Sequence, residues 1–372
     1  NGFAGIFDYF NWIDKMAWYP EGRDVASTSF SGLHYLGAFL YLFSRNILQL
    51  NISLYDFLVL LPVVIGGLIS LAIYFLGKEI GGEAVGIFAG LLSTLSPPLI
   101  SRDSFGWWDT EPIAYLFGIV VFILFLKIVE KENVSIKSLV ETSVAGILLG
   151  LSMTIWGGAM YFVGTLGILV LASLFFVRSY KVFFEHTIVL TIWNLLVSMI
   201  FKKPGYMVIV NPANLVIYIG ILSCFFLMLK EERKEIKIED KIYSVLTAVL
   251  LGLVLVSFGA IGTLTARYFS VILPFEISHE PLVESVAEHA SSTAVEYFTF
   301  FSITLFFSGF SIYYILKNIE IKKFSAIIIA ITALYFAASF GRLMIYLTFS
   351  LSILGGVGIL VIIRTLLSQS SR

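Results

Sequence analysis

Long apolar runs alternate with short polar segments along most of the chain. Each run approaches the ~20 residues that a helix needs to cross the hydrocarbon core of a bilayer. Residues 29–47 are also apolar but include Ser31, His34 and Ser44, so we predict an interfacial helix there. We predict about eleven membrane-spanning helices, at 55–77, 83–101, 112–129, 138–156, 158–177, 183–201, 206–229, 242–262, 293–316, 324–341 and 343–363.

The composition agrees with this pattern. Hydrophobic residues make up 58% of the chain and charged residues 13%, with a mean hydropathy of +0.94. These values exceed what a water-soluble domain tolerates and indicate an all-α polytopic membrane protein. The net charge of −1 does not bear on a nucleic-acid partner, but the sequence has no basic stripe to bind one. The single cysteine, Cys224, excludes a disulfide framework.

The distribution of basic residues predicts the orientation. Most of the 24 Lys and Arg residues fall in alternate loops, and the positive-inside rule places those loops in the cytoplasm. Residues 1–54 then form a first outer loop with interfacial helices, and residues 55–372 form the transmembrane domain. Further outer loops lie at about 102–111 and 263–292. Whether Asp8 and Asp109 share the outer face depends on residues 29–47, because a membrane crossing there would put the two residues on opposite faces.

The segment Ser101–Pro112, SRDSFGWWDTEP, concentrates charge between two apolar runs. Its paired tryptophans suit the water–lipid boundary. Asp109 and Glu111 are one residue apart and could converge on one divalent cation, which prefers oxygen ligands. An ordinary polar loop is the alternative for this motif taken alone. We expect Asp14 and Asp103 to be solvated loop carboxylates, and the alternative is that either exchanges roles with Asp8 or Asp109.

Two other outer segments carry candidate chemistry. The loop 263–292 is long for a compact protein and contains ESVAEHASS. Arg342 stands alone between two apolar runs, and its planar fork of donors matches phosphate oxygens. Snorkelling towards the membrane surface is the alternative for Arg342. Carboxylates, a cation and an arginine on one outer surface would suit transfer of a group from a lipid phosphate.

Four motifs, in order along the chain, resemble the catalytic subunit of oligosaccharyltransferase in its archaeal single-subunit form. They are Asp8 in FDYFNWIDKM, Arg102 to Glu111, the sequence SVAEH at 285–289, and Gly341-Arg342-Leu343. The resemblance covers nearly the whole chain. It implies a GT-C-like all-α fold and a metal-dependent enzyme. Such an enzyme transfers an oligosaccharide from a dolichyl or polyprenyl phosphate or pyrophosphate carrier to Asn in Asn-x-Ser/Thr, on the extracytoplasmic face of the cell membrane.

The same resemblance implies a role for each matching residue. Asp8, Asp109 and Glu111 would be the ligands of Mg²⁺ or Mn²⁺. Asp8 and Glu288 would be the catalytic pair at the acceptor amide. Arg342 and Arg102 would bind the donor phosphate, and His289 is a further candidate site residue. The implied partners are a lipid-linked oligosaccharide, an acceptor polypeptide and membrane lipids.

One departure from the family pattern and two alternative functions accompany this interpretation. We expect this segment to lack the family's soluble C-terminal domain and the WWD-type motif which that domain carries. We therefore expect a fragment that lacks recognition of the sequon hydroxyl residue and is inactive alone. A protein O-mannosyltransferase-like enzyme would share the fold class but would not need the SVAE-type motif. A non-enzymatic transporter would place charges and broken helices near mid-bilayer.

Overall fold

The computed structural model describes residues 5–232, 235–257, 290–317 and 319–370. Fifteen α-helices lie within these ranges. They are α1 (Gly5–Asp8), α2 (Val25–Thr28), α3 (Gly32–Asn46), α4 (Leu54–Gly81), α5 (Glu83–Thr94), α6 (Pro97–Arg102), α7 (Thr110–Val129), α8 (Ile136–Ile155), α9 (Met160–Ser173), α10 (Tyr180–Ser198), α11 (Pro212–Glu231), α12 (Ile238–Ser257), α13 (Ala294–Lys317), α14 (Ile321–Ser339) and α15 (Ile345–Ser370). Two short antiparallel strands, β1 (Ile13–Asp14) and β2 (Arg23–Asp24), pair in the first segment.

The all-α membrane fold is confirmed. Among the described residues, 7 helices are long and apolar enough to cross a membrane. They are Leu54–Gly81, Thr110–Val129, Ile136–Ile155, Pro212–Glu231, Ala294–Lys317, Ile321–Ser339 and Gly341–Gln369. The total of about eleven spans stays a prediction.

The predicted run 83–101 is not one helix. It is divided into α5 and α6, and Pro97 stands at the first position of α6. Proline suits that position, because its missing N–H would have no partner in the first helical turn. The run 158–177 is likewise shorter than predicted, since α9 contains 14 residues.

Helices α7 and α15 lie at the centre of the bundle. Helix α7 packs against α4 and α8, while α15 packs against α5 and α13. Between them lies an aromatic cluster of fully buried side chains: Tyr115, Tyr161, Phe162, Tyr346 and Phe349. The rings of Tyr161 and Tyr346 stack with centroids 3.9 Å apart. This cluster forms the floor beneath the polar end of both helices.

The first segment and the loop before α7 lie at the same end of the bundle. Helix α3 has 15 residues and extends about 22 Å, which is short of the ~30 Å hydrocarbon core. Its length therefore agrees with the predicted interfacial position. A β-carbon at Gly37 of α3 would lie 2.9 Å from the Trp108 ring. On the other side of α3, the rings of Tyr9 and Tyr35 are 5.4 Å apart.

Loops predicted to be cytoplasmic come together at the opposite end. The ammonium group of Lys322, in the first turn of α14, lies 2.7 Å from a carboxylate oxygen of Glu79 and 2.6 Å from one of Glu130. Glu79 belongs to the last turn of α4, and Glu130 follows α7 directly. Three loops that the charge pattern assigns to one side are thus joined there.

Candidate active site at the end of α7

Asp109 begins α7 as its N-cap residue. Its Oδ1 accepts a hydrogen bond from the Thr110 N–H at 2.6 Å and lies 3.2 Å from the Thr110 hydroxyl. Aspartate is favoured at this position because its carboxylate satisfies an N–H that has no partner within the helix. The cap uses Oδ1, so Oδ2 is the oxygen that can serve a ligand.

Glu111 is completely buried and lies between two arginines. Its Oε1 accepts a hydrogen bond from Nε of Arg342, and its Oε2 lies 3.2 Å from Nη1 of Arg102. The contact to Oε2 is an ion pair without hydrogen-bond geometry, so that oxygen has no hydrogen-bond partner. A buried carboxylate is stable only beside opposite charge, and the two guanidinium groups supply it.

The two arginines reach Glu111 from separate parts of the chain. Arg102 is the last residue of α6, and its guanidinium lies 5.8 Å from the centre of the Trp107 ring. Arg342 belongs to the 3₁₀ turn Gly341–Met344, which precedes α15. Nη2 of Arg342 is also 3.9 Å from Oδ2 of Asp109. The structure thus brings together four of the predicted site residues, two acidic and two basic.

The loop between α6 and α7 is attached to α4. Gly106 has a φ of +81°, a conformation that favours glycine, and its N–H donates to the Val59 carbonyl at 2.9 Å. Further along α4, a β-carbon at Gly66 would lie 2.8 Å from the Asp103 β-carbon. Glycine at position 66 therefore permits this close approach.

The expectation that Asp103 is solvated is wrong. Both of its carboxylate oxygens are buried without a hydrogen-bond partner. This burial raises the pKa of Asp103 from 3.8 to about 7, because removal from water disfavours the charged form. The sequence alone gave no sign of this, since the α4 surface that covers Asp103 lies far away along the chain.

Asp8, the remaining predicted metal ligand, belongs to the first segment of the chain. It is the last residue of α1 and is exposed. Within the described ranges, no group of three or more His, Cys, Asp and Glu side chains is arranged to hold a metal ion. The three-carboxylate metal site therefore stays a prediction.

Glu288 and His289 lie outside the described residues, but the chain that follows them is placed. The carbonyl of Ala290 accepts a hydrogen bond from the Gly341 N–H at 2.9 Å. The Ser292 hydroxyl donates to the Ala337 carbonyl at 2.7 Å. The chain after the SVAEH motif thus meets the residue next to Arg342, a contact that the sequence did not predict.

Sequence reasoning also missed Tyr115, which follows Glu111 by four residues on α7. Residues four apart share one face of a helix. The sequence feature that could have revealed Tyr115 was therefore its polar hydroxyl on the same face as Glu111, within an apolar run. The Tyr115 hydroxyl joins α7 to the start of α15, the helix that follows Arg342.

Known proteins resemble this chain in sequence over most of its length. A family model described as oligosaccharyl transferase STT3, N-terminal, matches residues 1–355. The dolichyl-diphosphooligosaccharide–protein glycosyltransferase subunit STT3B of Arabidopsis thaliana is 25% identical over 380 residues, which cover 98% of this chain and 50% of the plant protein. The stt-3 subunit of Caenorhabditis elegans is 25% identical over 365 residues, covering 95% of this chain and 47% of the nematode protein.

A solved structure shows the same fold. The archaeal oligosaccharyltransferase AglB from Archaeoglobus fulgidus, in complex with an inhibitory peptide and a dolichol-phosphate, superposes with a TM-score of 0.75 at 17% identity. The match covers 97% of this chain and 45% of that protein. The chain thus spans about half the length of the relatives it matches.

Proposed function

The chain belongs to the oligosaccharyl transferase STT3 N-terminal family, and from this premise we propose that it contributes the donor-binding and metal-binding part of an N-glycosylation enzyme. The reaction would transfer an oligosaccharide from a dolichyl or polyprenyl phosphate or pyrophosphate to Asn in Asn-x-Ser/Thr, outside the cell membrane. The observation that carries the proposal is the buried Glu111 held between Arg102 and Arg342. The segment from Arg102 to Glu111 and the distant turn that carries Arg342 meet there to build one charged centre.

Arg342 and Arg102 are proposed to bind the donor phosphate. Guanidinium groups match phosphate oxygens with paired N–H donors. Arg342 lies in the turn that directly precedes the membrane-spanning helix α15, and Arg102 pairs with Glu111 in the first turn of the membrane-spanning helix α7. A bound phosphate could therefore be held while its lipid tail stays in the bilayer. The Arg102 side chain is 12% exposed and that of Arg342 27%, which leaves part of each accessible to a ligand.

Asp109 and Glu111 are proposed to hold Mg²⁺ or Mn²⁺, with Asp8 as a third ligand. The residues fit such an ion, because Oε2 of Glu111 has no hydrogen-bond partner and Oδ2 of Asp109 is not used by the helix cap. Both are hard oxygen donors of the kind these ions prefer. A bound divalent ion would neutralise negative charge that develops on the leaving phosphate.

Asp8 and Glu288 are proposed to act on the acceptor asparagine. Its amide nitrogen is a poor nucleophile, since its lone pair is delocalised into the carbonyl. Two carboxylates that accept hydrogen bonds from the NH₂ group would weaken that delocalisation. The nitrogen forms a bond to the anomeric carbon, the bond from that carbon to the phosphate oxygen breaks, and an amide proton passes to a carboxylate. The contact between Ala290 and Gly341 supports this role for Glu288, since it brings the chain after the motif next to Arg342.

Transfer by the complete natural protein in lipid vesicles tests the proposal. The substrates are a dolichyl-linked oligosaccharide and two peptides, one with Asn-x-Thr and one with Gln-x-Thr. We expect a glycosylated product with the Asn peptide alone, dependent on Mn²⁺ or Mg²⁺. Arg342→Ala should reduce turnover at least a hundredfold, a loss of about 2.7 kcal/mol in transition-state stabilisation.

Arg178→Ala provides the matched control, because Arg178 is 75% exposed and pairs with Glu132 away from the site. It should leave turnover unchanged. Full turnover by Arg342→Ala would remove that residue from the donor site. Modification of both peptides at their threonine would instead indicate O-glycosyl transfer, and metal-independent uptake of a solute into the vesicles would indicate a transporter.

A further inference from the structure

The hydroxyl of Tyr115 bridges the two elements that carry the charged centre. Tyr115 is fully buried in α7, one turn below Glu111. Its hydroxyl donates a hydrogen bond to the Ile345 carbonyl at 2.9 Å and accepts one from the Phe349 N–H at 3.1 Å. A tyrosine hydroxyl offers one donor and can also accept, so both of its functions are used here.

The two backbone groups that the Tyr115 hydroxyl contacts would bond to each other in a regular α-helix. Ile345 and Phe349 are four residues apart, so their C=O and N–H are the pair that an uninterrupted α-helix joins directly. The Tyr115 hydroxyl contacts both of them at the first turn of α15. Ile345 also follows directly after the turn Gly341–Met344, which carries Arg342. The bridge therefore fixes the beginning of α15, and the turn before it, against α7.

A second contact joins the same two elements, but it depends on charge. Arg342 bonds to Glu111, and this pair would open if a bound phosphate drew Arg342 away. The Tyr115 bridge uses only backbone groups and an uncharged hydroxyl. It can stay closed while the ion pair opens.

We propose that Tyr115 is a positioning residue for donor binding, which keeps the Arg342 turn in register with α7 while Arg342 exchanges Glu111 for a phosphate. The inference rests on the proposed function and adds a residue to it. Tyr115 touches neither the donor nor the acceptor in this scheme; it acts through Arg342.

Tyr161 belongs to the same aromatic cluster, but its hydroxyl does not join α7 to α15. It is also fully buried, and its hydroxyl donates to the Ile329 carbonyl at 3.1 Å. That bond joins α9 to α14 and leaves α7 and α15 unconnected. Tyr161→Phe is therefore a matched control for the loss of one buried hydroxyl.

The test compares Tyr115→Phe with Tyr161→Phe in the complete natural protein, with dolichyl phosphate as the probe. We expect Tyr115→Phe to raise the Kd for dolichyl phosphate about tenfold, equivalent to about 1.4 kcal/mol, and the KM for an Asn-x-Thr peptide to stay within about twofold. Tyr161→Phe should leave the Kd unchanged. In an Arg342→Ala background, Tyr115→Phe should produce no further loss, because residues that act through one another are not additive.

Hydrogen exchange of the segment 341–349 without donor provides an independent readout. We expect faster exchange in Tyr115→Phe than in wild type or Tyr161→Phe. If wild type fails to bind dolichyl phosphate, the proposed function fails, and the exchange data still decide whether Tyr115 holds the turn. Wild-type affinity and exchange in Tyr115→Phe, or equal losses in both variants, would overturn the inference. If Tyr115→Phe does not fold, 4-aminophenylalanine at position 115 should restore affinity, since its amine can also donate and accept.

Discussion

Asp103 is a buried acid whose titration should be measurable as a change in stability. Both carboxylate oxygens are enclosed by the loop and by α4, near Gly66, without a hydrogen-bond partner. The informative change is Asp103→Asn, because asparagine has nearly the shape of the protonated acid and does not titrate. Comparison of the two proteins across pH isolates the contribution of this one proton.

The magnitude and the sign follow from the pKa. Burial raises the pKa of Asp103 from 3.8 to about 7, a shift of about three units or roughly 4 kcal/mol. The folded state holds the proton more tightly than the unfolded state. The free energy of unfolding therefore falls as the pH rises from about 4 to about 7, and the full loss is present above pH 7. Asp103→Asn should match wild type near pH 4 and be more stable above pH 7.

Thermal unfolding of the detergent-solubilised protein, followed by tryptophan fluorescence between pH 4 and pH 8.5, measures this difference. We expect the gap between the midpoints of variant and wild type to widen as the pH rises, and to level off above pH 7. Glu21→Gln removes the same charge from an exposed position, so its gap should not vary in this way. A gap between Asp103→Asn and wild type that stays constant with pH would refute the reasoning.

Two further predictions concern ion pairs, the first their burial and the second their response to salt. Glu111→Gln should lower the free energy of unfolding by about 3–5 kcal/mol, because it leaves two guanidinium groups beside a buried neutral amide. Glu132→Gln, which breaks an exposed ion pair, should lower it by less than about 1 kcal/mol. Equal shifts of the thermal midpoint in the two variants would contradict this ranking. Lys322→Met removes the cation between Glu79 and Glu130, so it should lower the thermal midpoint, and added salt should shrink the difference from wild type by screening the two carboxylates. A difference that salt leaves unchanged would show that lost packing, not charge, is responsible.

The helices could be predicted because membrane-spanning segments are encoded locally. A run of ~20 apolar residues satisfies its backbone within itself, so α4 and α7 could be placed from length and hydropathy alone. The proline pair at 97 and 98 was a readable sign of the interruption, since proline is favoured at the start of a helix and removes a hydrogen bond inside one. It is not a certain sign, because α4 continues through Pro62. The depth at which each helix begins depends on its caps, and Asp109 shows that such a residue can serve both a cap and a site.

The residues of the charged centre could be predicted from the sequence, but the contacts between them could not. Asp109, Glu111, Arg102 and Arg342 stand out in the sequence because they adjoin apolar runs, and charge within the membrane is costly and commonly functional. Nothing local shows that Glu111 is fully buried between the two arginines. The bond between Tyr115 and Ile345 joins positions 230 residues apart, and a tyrosine in an apolar helix has no pattern that reveals such a partner.

The balance of charge in this centre determines how its proposed ligands should depend on each other. Two carboxylates and two guanidinium groups already neutralise one another. A phosphate bound alone would take Arg342 from Glu111 and leave excess negative charge, while a divalent cation bound alone would leave the arginines without their carboxylates. Bound together, the cation replaces the arginines at the carboxylates and the phosphate replaces the carboxylates at the arginines. Each ligand should therefore raise the affinity for the other by the same factor, as linkage requires, and the Tyr115 bridge is the contact that stays closed during the exchange.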